Sequence, residues 1–390
     1  MSESSVSRIV VCGHLCLDII PTFLGAGAAQ DWARPGRLTQ MGAPVISTGG
    51  AVSNVGLALH RLGVPVRLAA RIGDDPLGML ILDRIKATGG DLAAGIARVP
   101  GEITSYSVVI NPPSVDRSFL HCPGANDTFQ EGDVSEATLR DAAIFHFGYP
   151  PLMKKMWSDG GIGLSRLLER ARAAGALTSL DMSLPDPASP SGAVDWDAYL
   201  ARVLGRVDLF VPSVEELVSM IDHAEFERLS QGLGGEGVLR MATFALLERL
   251  SDKALEYGAS VILIKLGDRG AYLRTGSGGL RGMAGWENRE LYTPVFRVPH
   301  VVGTTGAGDS TIAGFLASIS KGLAPGDALS VAVAVGGCCV EAADATSGIR
   351  PWGETIARMK SGWEKAAVHV TEPGWKEVAQ GIWAGPLDAP

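Results

Sequence analysis

The sequence predicts an α/β fold: a doubly wound, mostly parallel sheet flanked by helices, with a small antiparallel β lid. Three observations predict it. Short β-branched runs alternate with helical patterns along most of the chain, as the crossover connections of a parallel sheet require. One region breaks that rhythm, with two strand-like runs and no helix between them. Finally, the 390 residues include 50 glycines, against roughly 27 expected from ordinary usage, which marks a tightly turned globular chain.

Taken in order, Arg8–Gly13 reads as the first strand. Ser53–Leu62 reads as a helix with Val55, Leu59 and Leu62 on one face, Val66–Ile72 as a strand and Pro76–Lys86 as a helix. Ile103–Asn111 and Arg117–Cys122, separated by Pro112-Pro113-Ser114, form the lid together with Pro44–Thr48. Ala143–Phe147, Leu177–Met182, Leu209–Pro212 and Val261–Leu266 follow as strands, alternating with helices near Ile162–Ala174 and Ala242–Tyr257. After Thr305 the pattern turns helical, over Ala307–Lys321, Pro325–Ala345 and Gly353–Ala366, and a tail with Trp375 and Trp383 is expected to fold over the body. Glycine-rich stretches at 25–42, 160–163, 232–237 and 276–285 read as surface loops. The chain thus reads as a single domain over 1–390, with a lid subdomain from about 14–48 and 101–123 and a C-terminal extension over 367–390.

Composition excludes several function classes. The net charge is −8 with no basic run, so nucleic acid has no electrostatic footprint. The apolar stretch Val331–Val340 ends at Glu341, too short to span a bilayer. Glu3 spoils a basic leader, and five cysteines with no zinc-type spacing read as buried thiols, so the expected compartment is the cytoplasm.

Two stretches carry chemistry. In Val301-Val-Gly-Thr-Thr-Gly-Ala-Gly-Asp309 a glycine turn opens into an apolar helix, so the Gly306, Ala307 and Gly308 amides face an anion site at a helix start. Asp309 stands where a P-loop would carry lysine. A carboxylate there suits a base that takes the proton of a hydroxyl attacking a γ-phosphate; it equally suits an acidic residue in a first helical turn. The second stretch is Gly49-Gly50-Ala-Val-Ser-Asn54, where paired glycines admit a polar ligand and Asn54 both donates and accepts. Asp18, beyond the first strand, is able to accept from two neighbouring hydroxyls.

The Gly49-Gly50 to Asn54 stretch, with Gly63 and Gly73, resembles the N-terminal signature of the ribokinase, or PfkB, family of carbohydrate kinases. Gly303 to Asp309, with Ala313-Gly314, resembles its C-terminal signature, about 250 residues further on. The resemblance implies a ribokinase-like fold and an ATP- and Mg2+-dependent kinase that phosphorylates a hydroxyl of a small sugar. It implies that Asp309 is the base, that Gly306, Ala307 and Gly308 form the anion hole, and that Asp18, Gly49, Gly50 and Asn54 hold the sugar. Pro212-Ser-Val-Glu-Glu216 resembles an N-x-x-E motif, which gives Glu216 the magnesium, through water. Leu266-Gly267-Asp-Arg-Gly270 resembles the turn bordering the nucleotide, so Lys265, Gly267, Gly270 and Thr304 are expected at ATP, with Lys265 pointing to the phosphates. Family members often dimerise through their lids, which implies a homodimer.

Departures sit beside these matches. Gly303 replaces an aspartate that helps build a monovalent-cation site, which leaves K+ open. Ser213 replaces the asparagine of N-x-x-E, and Asp181-Met-Ser183-Leu-Pro185 lacks the asparagine and arginine of a D-x-N-x-R pattern. Arg117 is a candidate replacement cation, and His14 lies nearest the sugar site. A nucleoside kinase of the same family, and a non-catalytic member that binds sugar or nucleotide to regulate a partner, stand as alternatives.

Overall fold

A computed structural model describes residues 8–24, 35–36, 38–89, 91–112, 118–231, 234–368 and 370–389. Arg117 and most of the 25–42 stretch lie outside the described residues. Among the described residues, fifteen strands build two sheets. Along the first half of the chain they are β1 Arg8–Gly13, β2 Cys16–Ile20, β3 Val45–Gly49, β4 Val66–Gly73, β5 Ile96–Val99, β6 Tyr106–Ile110, β7 Ser118–Cys122 and β8 Ala142–Gly148. They continue as β9 Leu177–Asp181, β10 Leu209–Phe210, β11 Val261–Lys265, β12 Ala271–Thr275, β13 Glu290–Thr293, β14 Lys376–Ala379 and β15 Ile382–Ala384.

The large sheet runs β14-β15-β13-β12-β11-β10-β9-β8-β1-β4-β5, and its strands from β11 to β5 are parallel. β11 reads Val-Ile-Leu-Ile-Lys and is buried at all five residues, the continuous apolar run of a strand covered on both faces. Separate hydrophobic clusters fill the two sides, one around Val11, Leu263 and Phe315 and the other around Phe147, Phe210 and Ile262. β12, β13, β15 and β14 add antiparallel strands at one edge.

Parallel strands deliver their carboxyl ends to one edge, where crevices for ligands form. Register makes those ends level: Gly13 pairs with Gly148, Gly148 with Asp181, and Ser213 bridges to Lys265. Over that edge stands the four-stranded lid, β3-β2-β6-β7. Its outer pairs are antiparallel and its central β2–β6 pair is parallel, because β2 and β6 both leave the body in the same direction. Arg71 at the lid's root binds Glu102 and Asp133 through paired contacts of 2.6 and 2.9 Å.

Four expectations change. The helix predicted over Gly353–Ala366 runs Trp352–Lys360, six residues short of Ala366. The helix after Pro325 ends at Cys339, six residues short of the predicted Ala345, and Gly348 takes a position whose Cβ would press on the Cys338 carbonyl. The glycine-rich 232–237 stretch is not all loop, since a helix runs Gly234–Met241 and buries Val238. The tail extends the large sheet through β14 and β15 instead of only lying over it, with Trp375 packed 4.1 Å from the Phe244 ring.

Candidate active site

The helix Ala307–Ser320 starts at Gly306, whose φ of 74° is open to glycine and costly for other residues. A Cβ at Gly306 would also collide with Ala345. The first bond of the helix runs from the Ser310 amide to the Gly306 carbonyl at 2.8 Å, so the preceding Gly308 and Asp309 amides sit at the helix mouth. The Ala307 amide donates to the Thr304 carbonyl at 3.2 Å, closing the turn. Thr304 therefore shapes the cradle through its backbone.

Asp309, in the first helical turn, is 5 % exposed. Its Oδ2 accepts from Asn54 Nδ2 at 2.9 Å and its Oδ1 from the Tyr149 hydroxyl at 2.7 Å. Burial pushes the carboxyl above its ordinary value, while Tyr149, Asn54 and the Lys265 ammonium pull it part of the way back. Two donors gripping both oxygens fix the carboxylate plane, and each oxygen keeps a lone pair for a further hydroxyl.

Lys265, at the end of β11, does not stand free to face a phosphate. Its Nζ donates to Asp181 Oδ1 at 2.6 Å, and its stem passes Gly308, where a Cβ would lie 3.7 Å from Lys265 Cδ. Burial disfavours the ammonium, but Asp181, Glu216 and Asp309 outweigh it and hold the charge. Burial, with Glu216 and Asp309 beside it, drives Asp181 in the other direction, well above the carboxylate range, against the pull of Lys265. Lys265 is thus a buried cation hydrogen-bonded to Asp181, with Glu216 and Asp309 near enough to support its charge.

Glu216 sits in the first turn of the helix Val214–Ile221. Ser213 caps that helix: the Glu216 amide donates to Ser213 Oγ at 3.3 Å, and the Ser213 amide donates to Glu216 Oε2 at 2.7 Å. This reciprocal box holds the glutamate as an asparagine cap would, which accounts physically for serine in the N-x-x-E position. Burial raises the Glu216 carboxyl, and Lys265 and the Ser213 amide lower it. Asp181 Oδ2 is buried with no hydrogen-bond partner. A hard cation sharing its water shell between two buried carboxylates fits this donor set, although no group of three or more metal-ligating side chains occurs among the described residues.

On the other flank, Asp18 lies on β2 opposite Ser47 of β3. Its carboxylate occupies the space that a side chain at Gly49 would fill. Burial pushes Asp18 up to about 6, against a thiol hydrogen bond from Cys16 at 3.4 Å. Gly50, at φ 86°, caps the helix Ala51–Arg61, whose first turn carries Asn54 to Asp309.

Gly267 begins the short turn after β11, packed on Leu239. Gly270 has a structural duty, since a side chain there would strike the Thr293 carbonyl. Of the predicted residues, Asn54 and Lys265 lie with Asp309 and its Gly306–Gly308 turn, and Glu216 joins them through Lys265; Asp18, Gly49 and Gly50 group at the start of the helix that carries Asn54, and Gly267 and Gly270 pack against Leu239 and Thr293. Tyr149 and the Asp181 partner of Lys265 were not foreseen as site residues. Tyr149 follows β8 at φ 64°, ψ 45°, a left-handed conformation unusual for an aromatic residue and concentrated at functional sites. The Gly148-Tyr-Pro-Pro151 turn sequence is the available signal.

Comparison with known proteins bears on the family and the fold. A model of the pfkB family of carbohydrate kinases matches residues 6–352. The 2-dehydro-3-deoxygluconokinase of Bacillus subtilis is 28% identical over 322 residues, covering 80% of this chain and 86% of that protein. Fructokinase-2 of Solanum lycopersicum is 27% identical over 318 residues, covering 81% and 83%. Among solved structures, Thermotoga maritima ribokinase superposes with a TM-score of 0.65 at 22% identity, over 91% of this chain and 99% of that one. Arabidopsis thaliana ribokinase complexed with ribose and ATP gives a TM-score of 0.67 at 20% identity, over 91% and 99%.

Proposed function

The chain belongs to the pfkB family of carbohydrate kinases, and from that premise we propose that it transfers the γ-phosphate of ATP to a hydroxyl of a small sugar, with Asp309 as base. The observation that carries this is the Asp309 carboxylate, buried at a helix start and held by Asn54 and Tyr149. The acceptor oxygen forms a bond to the γ-phosphorus as the bond to the bridging oxygen breaks, ADP leaves, and the acceptor proton passes to Asp309. A loose phosphoryl transition state needs positioning and charge neutralisation above all. The Gly306-Ala307-Gly308 turn supplies aligned amides, Lys265 supplies positive charge, and Gly267 and Thr304 border the nucleotide. Asn54 and Tyr149 orient the base, while Asp18 and the Gly49-Gly50 backbone hold acceptor hydroxyls. Glu216 and Asp181 are the residues to hold magnesium through water, which when bound offsets the charge of the phosphates.

Gly303 has little room for another side chain, because a Cβ would lie 3.1 and 3.2 Å from the Ala342 and Ala343 carbonyls. We therefore expect no aspartate-built potassium site. The lid's edge strands expose Phe119, Leu120 and Val45, each more than half open, which supports a homodimer formed lid to lid, since open strand edges ask for cover. No described helix is long and apolar enough to cross a membrane. The test is ADP release with a sugar panel: acceptor-dependent turnover is expected in the native chain, and full turnover in Asp309→Asn overturns the assignment.

A further inference from the structure

The acceptor side of the site contains a ring of contacts in which four members, His14, His121, Ser107 and Cys16, have no part in the proposed kinase chemistry. From Asp309 the path runs to Tyr149 by hydrogen bond, and from Tyr149 to His14 with ring centroids 6.2 Å apart. His14 meets His121 of lid strand β7 at 5.2 Å, and His121 Nδ1 lies 2.9 Å from Ser107 Oγ on β6. Ser107 Oγ is 4.0 Å from Cys16 Sγ, which donates to Asp18, and Asp18 covers Gly49. Gly50 and Asn54 return the path to Asp309. The ring joins body and lid around the space above the base.

Granted the kinase chemistry, on which this inference rests, we propose that His14 and His121 form the recognition wall of the acceptor pocket, and that the acceptor is an uncharged polyhydroxy sugar and not a sugar acid or sugar phosphate.

Two independent features support the first half. His14 is 2 % exposed, yet neither ring nitrogen has a hydrogen-bond partner, and buried polar atoms of this kind call for a ligand. Its Nδ1 lies against the glycine gap, 2.6 Å from where a Gly50 Cβ would be. Any side chain at Gly50 would strike this ring edge. His121, an exposed residue of the lid, stands across from it and is oriented by Ser107.

Charge supports the second half. Two carboxylates, Asp18 and Asp309, face the ring of contacts. Among the described residues, Lys265 is paired with Asp181, and Arg71 with Glu102 and Asp133; Arg117 lies outside them. Burial pushes His14 down to about 3, so its imidazole is neutral at ordinary pH. A carboxylate or phosphate on the acceptor would meet like charge, whereas hydroxyls find acceptors in the carboxylates and both kinds of partner in neutral imidazoles.

The test measures kcat and KM of the full chain with Mg-ATP for D-fructose and D-ribose against 2-dehydro-3-deoxygluconate and fructose 6-phosphate. The inference expects kcat/KM for a neutral sugar to exceed that of both anions by about 100-fold, a loss typical of unmatched polar groups in a pocket. His14→Gln and His121→Asn should each raise the acceptor KM about tenfold with the ATP KM unchanged, as loss of one hydrogen bond does. His121→Asn, on the lid surface, keeps the test decisive if the buried His14 variant does not fold. Preference for either anion, or an unchanged acceptor KM in the folded histidine variants, overturns this inference alone. Turnover of no acceptor at all, or full turnover in Asp309→Asn, overturns the kinase reading on which it rests.

Discussion

The proposed donor and acceptor flanks of the site are built differently. The donor flank rests on the level ends of body strands: the Gly306 turn, Lys265 with Asp181, and the Ser213–Glu216 box are all fixed by parallel register and helix starts. The acceptor flank is divided between body and lid, with His14 on one and His121 and Ser107 on the other. The donor flank carries buried charges that neutralise one another. The acceptor flank carries imidazoles, hydroxyls and one raised carboxylate. Such a division puts the lid in a sheet of its own, so a changed lid side chain leaves the register of the large sheet untouched.

If the two flanks are separable, donor-side changes should lower kcat and acceptor-side changes should raise acceptor KM. The largest effect is expected at their junction: Asp309→Asn should lower kcat by about 10²–10⁴-fold, the usual worth of a general base, as read by ADP release at saturating substrates. Next is Lys265→Met. It leaves Asp181 buried without its cation, so denaturant unfolding should show a loss of about 3 kcal/mol, with kcat falling more than acceptor KM rises.

Tyr149→Phe is expected to cost about tenfold in kcat/KM, the size of one lost hydrogen bond. Its sharper signature is the pH profile. The base works deprotonated, and the Tyr149 hydroxyl holds its pKa down, so removing that hydroxyl should move the acidic limb to higher pH. An unmoved limb would leave Tyr149 a packing residue. The smallest effect belongs to Asp18. Its carboxyl sits at about 6, so acceptor KM should rise as pH falls below that value and the carboxylate is protonated. Asp18→Asn should hold a higher, pH-independent KM, with kcat close to native; persistence of the pH dependence would assign it to another group.

The two flanks also differ in how far they are legible in the sequence. The donor turn is legible because Gly303 to Asp309 is contiguous, and glycine spacing before an apolar helix has a direct physical meaning. Gly49, Gly50 and Asn54 are legible for the same reason, whereas Asp18 joins them only through the family resemblance. Tyr149 is hidden, since it reaches Asp309 across 160 residues and depends on a left-handed backbone that no composition announces. The Lys265–Asp181 pair is hidden by strand order, which brings β9 and β11 together across the two-residue β10. The alternation of strands and helices reveals the parallel core, but not the antiparallel edge completed by β14 and β15 from the tail. The parallel β2–β6 pair in the lid likewise depends on crossover direction, which local pattern does not carry.

The most direct measurement is ³¹P NMR of the products formed from Mg-ATP and a neutral sugar by the native chain and by Asp309→Asn. The native chain should yield ADP and one sugar phosphoester in equal amounts, and the variant should yield neither at a comparable rate while still binding ATP. Equal phosphoester formation by the two proteins, or ADP with inorganic phosphate and no phosphoester from the native chain, would contradict a sugar kinase with Asp309 as its base.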